Sequence, residues 1–241
     1  MKTKILLLLL VAAMLTACAL PDSLSSLLNR FKPQVELDAE SNTLLDLVES
    51  GKVRIVSIRG TSGLSTLTGR SIELELFNTT EQSLEIEVPC GLVFIPDVEN
   101  TSRMMVVQRS VINLTKGNMK TIKPYVLSID ALQLLPSADK TYRVDYLEAG
   151  KPLDFANCLC RSDLPAETET NELINLQLAA WMVSSDQLIS EIPENLKDIV
   201  AEITGLPINF PGMDKAIQDM AKTVIPGANA WLDRCEIKVG Q

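Results

Sequence analysis

The sequence has no histidine and few rings: Phe 5, Tyr 3 and Trp 2 among 241 residues. Without histidine there is no Ser-His-Asp triad, no Cys-His pair and no His-ligated metal. Positive charge is also short, with Lys+Arg 22 against Asp+Glu 31 and a formal charge of -9. Such a chain lacks the basic footprint with which proteins hold nucleic acid. Scarce rings leave few platforms on which sugars or bases stack. Beyond the N-terminal segment no stretch reaches about 18 apolar residues, so no later membrane span is expected. Neither a cofactor nor a metal is implied, and an enzyme is not the expectation.

What is present begins with an address. Lys2 and Lys4 form a positive start, residues 5–15 are apolar, and Leu15-Thr16-Ala17-Cys18 closes the segment. The run is too short to span about 30 Å of hydrocarbon. It therefore reads as a signal peptide over 1–17, set apart from the fold. Its last four residues resemble the lipobox of bacterial lipoproteins: a branched apolar residue, two small ones, then cysteine. The resemblance implies that Cys18 becomes the lipidated N-terminus and that the partner there is a membrane. One acyl chain anchors only marginally, and this family carries several. Ala19 follows, rather than the Asp associated with inner-membrane retention, which points to the outer membrane where the cell has one. Loss of Lys2 and Lys4 makes the exported form more acidic still.

Residues 18–40, rich in Pro, Ser, Asp and Glu, read as a tether. A short helix is expected over 41–50, with Gly51 where a C-terminal cap belongs. From Lys52 the period becomes two. Ile72, Leu74 and Leu76 alternate with Glu73 and Glu75, and Leu84, Ile86 and Val88 alternate with Glu85 and Glu87. The turn residues Asn78-Thr79-Thr80-Glu81 between them predict a hairpin with one wet face. Strands are also expected over 92–95, 104–108, 111–114, 119–122 and 141–146. Short strands at this density read as an immunoglobulin-like β-sandwich over 41–165, with a closed barrel as the alternative. After Pro165 the period turns helical, giving a C-terminal helical region over 166–241. Its expected helices are one carrying Leu173 to Val183, one over 193–205, and one over 213–224 ended by Pro226-Gly227.

Besides Cys18 there are Cys90, Cys158, Cys160 and Cys235. An even count in an exported chain implies disulfides. A bond between Cys158 and Cys160 would be strained, so two pairings remain, each tying the 158–160 segment to Cys90 and to Cys235. A four-thiolate zinc site would want wider spacing than one intervening residue.

Leu176-Gln177-Leu178-Ala179-Ala180-Trp181 resembles the Thr-Gln-x-Ala motif of bacterial thioester domains, surface-displayed β-rich domains with helical insertions. The looser likeness extends back to Val88-Pro89-Cys90-Gly91 and the strands up to Tyr146. It implies that Gln177 links to a cysteine thiol as an amine-capturing electrophile. Leu176 stands where that motif has Thr, and Val126 follows Tyr125 where the reactive cysteine is expected. Gly60-Thr61-Ser62-Gly63 lacks the Lys and helix of a phosphate loop. The glutamate pairs read as a solvated strand face. The expectation is a lipid-anchored, non-enzymatic binding or adhesion module at the bacterial envelope, meeting a protein partner at the surface or periplasm. A thioester-like adhesin and a structural envelope lipoprotein are the alternatives.

Overall fold

Nine strands in antiparallel sheets precede a group of helices in the computed structural model, which describes residues 42–61, 69–131, 133–166, 169–188, 211 and 213–240. All of these belong to the unit Asn42–Gln241. The signal segment with Cys18, the tether and the helix expected over 193–205 lie outside the described residues.

A six-residue helix, α1 (Leu44–Glu49), opens this unit. Thr43 caps it, its hydroxyl accepting from the Asp46 N–H, and Gly51 (φ +72°) turns the chain out in the left-handed region, as expected. The strands are β1 (Val53–Gly60), β2 (Ile72–Asn78), β3 (Leu84–Val88), β4 (Leu92–Pro96), β5 (Met104–Val106), β6 (Ser110–Leu114), β7 (Met119–Ile122), β8 (Val126–Ser128) and β9 (Tyr142–Leu147). They form sheets of order β1-β2-β7, β3-β6 and β8-β5-β4-β9, antiparallel throughout.

The expected hairpin of β2 with β3 does not form, because β2 pairs with β1 and β7 while β3 pairs with β6. The reason lies at Asn78, which is fully buried. Its Nδ2 donates to the carbonyls of Gln82 (2.7 Å) and Leu114 (3.0 Å), and its Oδ1 accepts from the Thr80 N–H (2.9 Å). The turn residues thus build a corner at which the chain passes from one sheet to another, as bent strands do in stacked sheets.

Burial follows the sequence period. The alternating strand β2 buries Ile72, Leu74 and Leu76 and leaves its glutamates half-exposed. In β4, β5 and β8 the apolar residues run on without alternation, and both faces are covered. Phe94, Met104, Val106 and Val126 join a core with α1, β1, β2 and β3. Val93, Met105 and Leu127 face a second core, filled by the helices. The four-stranded sheet is therefore a middle layer.

The helices are α2 (Lys151–Cys160), α3 (Thr170–Ser185) and α4 (Met213–Arg234). α2 lies inside the 41–165 range expected to hold strands; Pro152 in its first turn and the buried Phe155, Ala156 and Leu159 account for it. α3 is apolar on all sides from Leu173 to Val183 except for Asn175 and Gln177, and is buried on all sides. α4 does not stop at Pro226-Gly227. A proline inside a helix costs about 3 kcal/mol. Here its ring faces solvent, and the stripe Val224, Ala228, Trp231 and Leu232 continues the buried face past it. Gly227 is required by a close approach: a Cβ there would overlap the Asn175 amide of α3.

Candidate functional site

The cysteines form two disulfides, Cys90–Cys160 and Cys158–Cys235. Residues two apart on a 3.6-residue helix leave about 200° apart around its axis. Cys160 of α2 therefore reaches back to the turn before β4, while Cys158 reaches the end of α4. The Cα–Cα separations are 6.2 and 5.6 Å. The pairing left open by the sequence is settled by this geometry, and α2 is the staple between the strands and the C-terminal helix.

Gln177 is buried, and its amide serves the backbone of Ser128 twice. Oε1 accepts from the Ser128 N–H at 3.0 Å and Nε2 donates to the Ser128 carbonyl at 2.7 Å. Ser128 ends β8, the edge strand of the middle sheet. A neighbouring strand would offer an acceptor and a donor at this point, and the Gln177 amide supplies both. One turn on, Trp181 Nε1 donates to Ser128 Oγ at 3.0 Å. The resemblance around Gln177-x-Ala-x-Trp thus falls on a helix-to-strand clamp. Cys90, Cys158, Cys160 and Cys235 are bonded to one another, so no described thiol stands free beside that amide.

Three of the strand glutamates have separate partners. Glu73 pairs with Lys123 (3.6 Å), Glu75 accepts from Ser57 Oγ (3.2 Å), and Glu87 pairs with Arg109 (2.6 Å). Gly60 lies against the backbone of Ser137, where a Cβ would not fit, and donates to the Lys140 carbonyl. Among the described residues no group of three His, Cys, Asp or Glu side chains converges on a metal position.

One charged cluster went unread in the sequence. Arg103, just before β5, donates from Nη2 (2.7 Å) and Nε to Asp130, and from Nη1 to the Tyr146 hydroxyl (2.9 Å). Its backbone N–H binds Asp130 Oδ2 as well (2.8 Å). The Asp130 hydrogen bonds hold the guanidinium proton well above its ordinary range. Arg103 and Asp130 line an open cleft of about 490 Å³ together with Asp97 and Glu99 of the β4–β5 loop. Thr101 lines it too; its Oγ1 is buried without a hydrogen-bond partner. Asp97 is 3.5 Å from Arg143. Arg103 and Asp130 are 27 positions apart and carry no motif, so only the pairing of β5 with β8 brings them together.

A second ion pair holds the C-terminal tail. Asp186, just past α3, accepts from Lys151 Nζ (2.5 Å) and from the Gly240 N–H (3.1 Å). The Lys151 bond and then the Gly240 bond keep its carboxyl below the ordinary carboxylate range. No family model, curated protein or solved structure matches the chain.

Proposed function

We propose that this chain is a lipid-anchored, non-enzymatic binding module on the extracytoplasmic side of a bacterial envelope, held by acyl chains on Cys18. The two disulfides are the observation that carries the reading. Such bonds persist in oxidising compartments and are rare in the cytosol. The lipobox-like segment at residues 15–18 supplies the anchor, and no described helix is long and apolar enough to cross a membrane.

The β region is an immunoglobulin-like sandwich elaborated by helices. Support comes from the core shared by β1, β2, β3, β4 and β5, and from the corner at Asn78 where the chain changes sheet. The partner is a protein met at the loop end, where Arg103, Asp130 and the β4–β5 loop shape the cleft. The Gln177 clamp favours this module over the thioester adhesin, because the amide is already engaged on both its atoms.

Radiolabelled palmitate incorporation tests the anchor. The full chain labels and sediments with membranes, and Cys18→Ser abolishes the label. A parent chain that takes no label, or that stays in the cytosol with four reactive thiols, overturns the proposal. The binding role is tested by photo-crosslinking from Glu99 in intact envelopes. A discrete adduct lost with Arg103→Glu supports the cleft, and no adduct above an unirradiated control counts against it.

A further inference from the structure

The cleft beside Arg103 holds one charge and one hydroxyl that the fold leaves unmatched. Asp130 is matched by Arg103 at 2.7 Å, and Asp97 by Arg143 at 3.5 Å. The Glu99 carboxylate, in the same lining, has no partner among the described residues. Thr101 lines the cleft while only 5% exposed, and its Oγ1 makes no hydrogen bond. Buried hydroxyls are normally paired, so this one marks a place that a ligand atom completes. We infer that the cleft takes a basic side chain, lysine or arginine, presented by the protein partner, an inference that rests on reading this cleft as the partner's site.

The sign of the charge follows from what is already balanced. With Asp130 and Asp97 each held by an arginine, Glu99 is the negative charge left over in the lining. A carboxylate or phosphate there would face Glu99, Asp97 and Asp130 together. Arg103 could not offset them, because its Nε and Nη2 already hold Asp130 and its Nη1 holds the Tyr146 hydroxyl. An uncharged occupant would take water from Glu99 and return no counter-charge. An ammonium or guanidinium has donors and no acceptor, so one group can serve both Glu99 and the Thr101 oxygen. Its aliphatic stem has a surface as well, since Ile95, Pro96 and Val98 line the same cleft.

The rim is held in place by the fold itself. The Ser102 N–H donates to the Leu134 carbonyl (2.8 Å), and the Leu134 N–H donates to the Asn100 carbonyl (3.0 Å). Ser102 Oγ lies 3.2 Å from the carbonyls of both Asp130 and Gln133, to which it donates. Little loop entropy is then lost on binding. A protein, rather than a free amine, suits the surroundings of the cleft. Val98 is 44% exposed, and Leu134, bonded to the rim, is 56% exposed. Residues flanking a basic one in a partner chain cover them, which a lone alkylamine does not.

The experiment titrates the isotope-labelled full chain with the capped peptide Ac-Gly-Val-Lys-Val-Gly-NH2 and follows the backbone amide shifts around Glu99 and Thr101 by NMR. Saturable shifts are expected, and peptides with glutamate or norleucine in place of lysine give none. Glu99→Gln and Thr101→Val should each weaken binding by about tenfold. Thr101→Val should also leave the melting temperature unchanged or higher, because it removes an unpaired hydroxyl at nearly the same shape. Salt at about 0.5 M screens the contact and erases most of the difference between the parent and Glu99→Gln. Glu85→Gln, at an exposed strand position outside the cleft, binds like the parent. Equal shifts with the norleucine peptide, or indifference to both variants, would overturn the inference. A photo-reactive residue at Val98, which keeps Glu99 in place, separates the two ideas in intact envelopes. An adduct lost with Glu99→Lys supports the basic contact. An adduct that survives Glu99→Lys overturns it and leaves the partner reading standing, and no adduct at all overturns both.

Discussion

Replacing Gln177 by methionine isolates what the clamp contributes, because the side-chain volume is nearly kept while both amide hydrogen bonds are lost. Ser128 is wholly buried, so its N–H and C=O would be left without partners and without water. Each orphaned buried group costs about 1–3 kcal/mol, so the expected loss is about 2–6 kcal/mol. For a chain of this size 1 kcal/mol moves the melting temperature by about 2–4 °C, which makes the shift about 4–24 °C. Urea unfolding followed by far-UV circular dichroism measures it. Gln187→Met, at an exposed position beyond α3, is the reference and should change stability by less than about 0.5 kcal/mol. Trp181→Phe and Ser128→Ala, singly and together, form a cycle around the Nε1–Oγ bond, with a coupling of about 1 kcal/mol. The reasoning fails if Gln177→Met is no more harmful than Gln187→Met, since the amide would then not be completing the sheet edge. Intact mass separates the rival chemistry in the same samples. A thioester at Gln177 leaves the chain one ammonia lighter and is opened by methylamine, whereas the clamped amide has full mass and is indifferent to it.

Four thiols become available to a labelling reagent only after reduction, and each disulfide, closing a loop of 70 or 77 residues, contributes about 4 kcal/mol on the chain-entropy model. Both bonds leave from α2, so the losses in Cys90→Ala/Cys160→Ala and Cys158→Ala/Cys235→Ala should be non-additive in chemical unfolding; strict additivity would mean that α2 does not transmit strain between them. Gly227→Ala should destabilise by about 1–3 kcal/mol through overlap with the Asn175 amide, and adding Asn175→Ala should restore most of it, since Asn175 Oδ1 makes no hydrogen bond. The folded Asp186 carboxyl is held below its unfolded value, so its contribution is present above about pH 4 and is lost as pH falls through the folded value. Asp186→Asn should therefore melt lower than the parent at neutral pH, with the gap closing on acidification; a gap that widens in acid would refute the pairing with Lys151.

Most strands were legible because water wets one face of them. Where Ile72, Leu74 and Leu76 alternate with glutamates, the period of two is a direct record of one buried face. The same signal misled about connectivity. Alternation says that Leu84 to Val88 is a strand and says nothing about which strand it joins, and the deciding contacts, Asn78 to Leu114 and Leu84 to Leu114, span thirty positions or more. β8 was missed because it is buried on both sides and spans only Val126–Ser128, too short a run to read without a period, whereas β4 and β5 lie in apolar runs of four, Leu92–Ile95 and Met104–Val107. Pro226 misled for a related reason. Its cost is local, whereas the burial of Trp231 and Leu232 that outweighs it is tertiary.

Both the disulfides and the Gln177 clamp address the same structural difficulty. A sheet covered on two faces cannot leave its edge polar groups to water, because the layers that cover it also exclude the solvent. At Ser128 the edge is met by an amide from the helix that forms the outer layer, so covering the sheet and completing its hydrogen bonding are one event. That coupling works only if α3 is held in register with β8, within about the tolerance of a hydrogen bond. α3 carries no cysteine, and its register is set by α2 and α4, which pack against it and are bonded to each other through Cys158–Cys235. Cys90–Cys160 then ties that pair to the turn before β4, in the sheet that contains β8. Reduction of both bonds should accordingly expose the amides of β8 to hydrogen exchange before those of β1 and β2, whose core lies on the far face of the sheet from the helices.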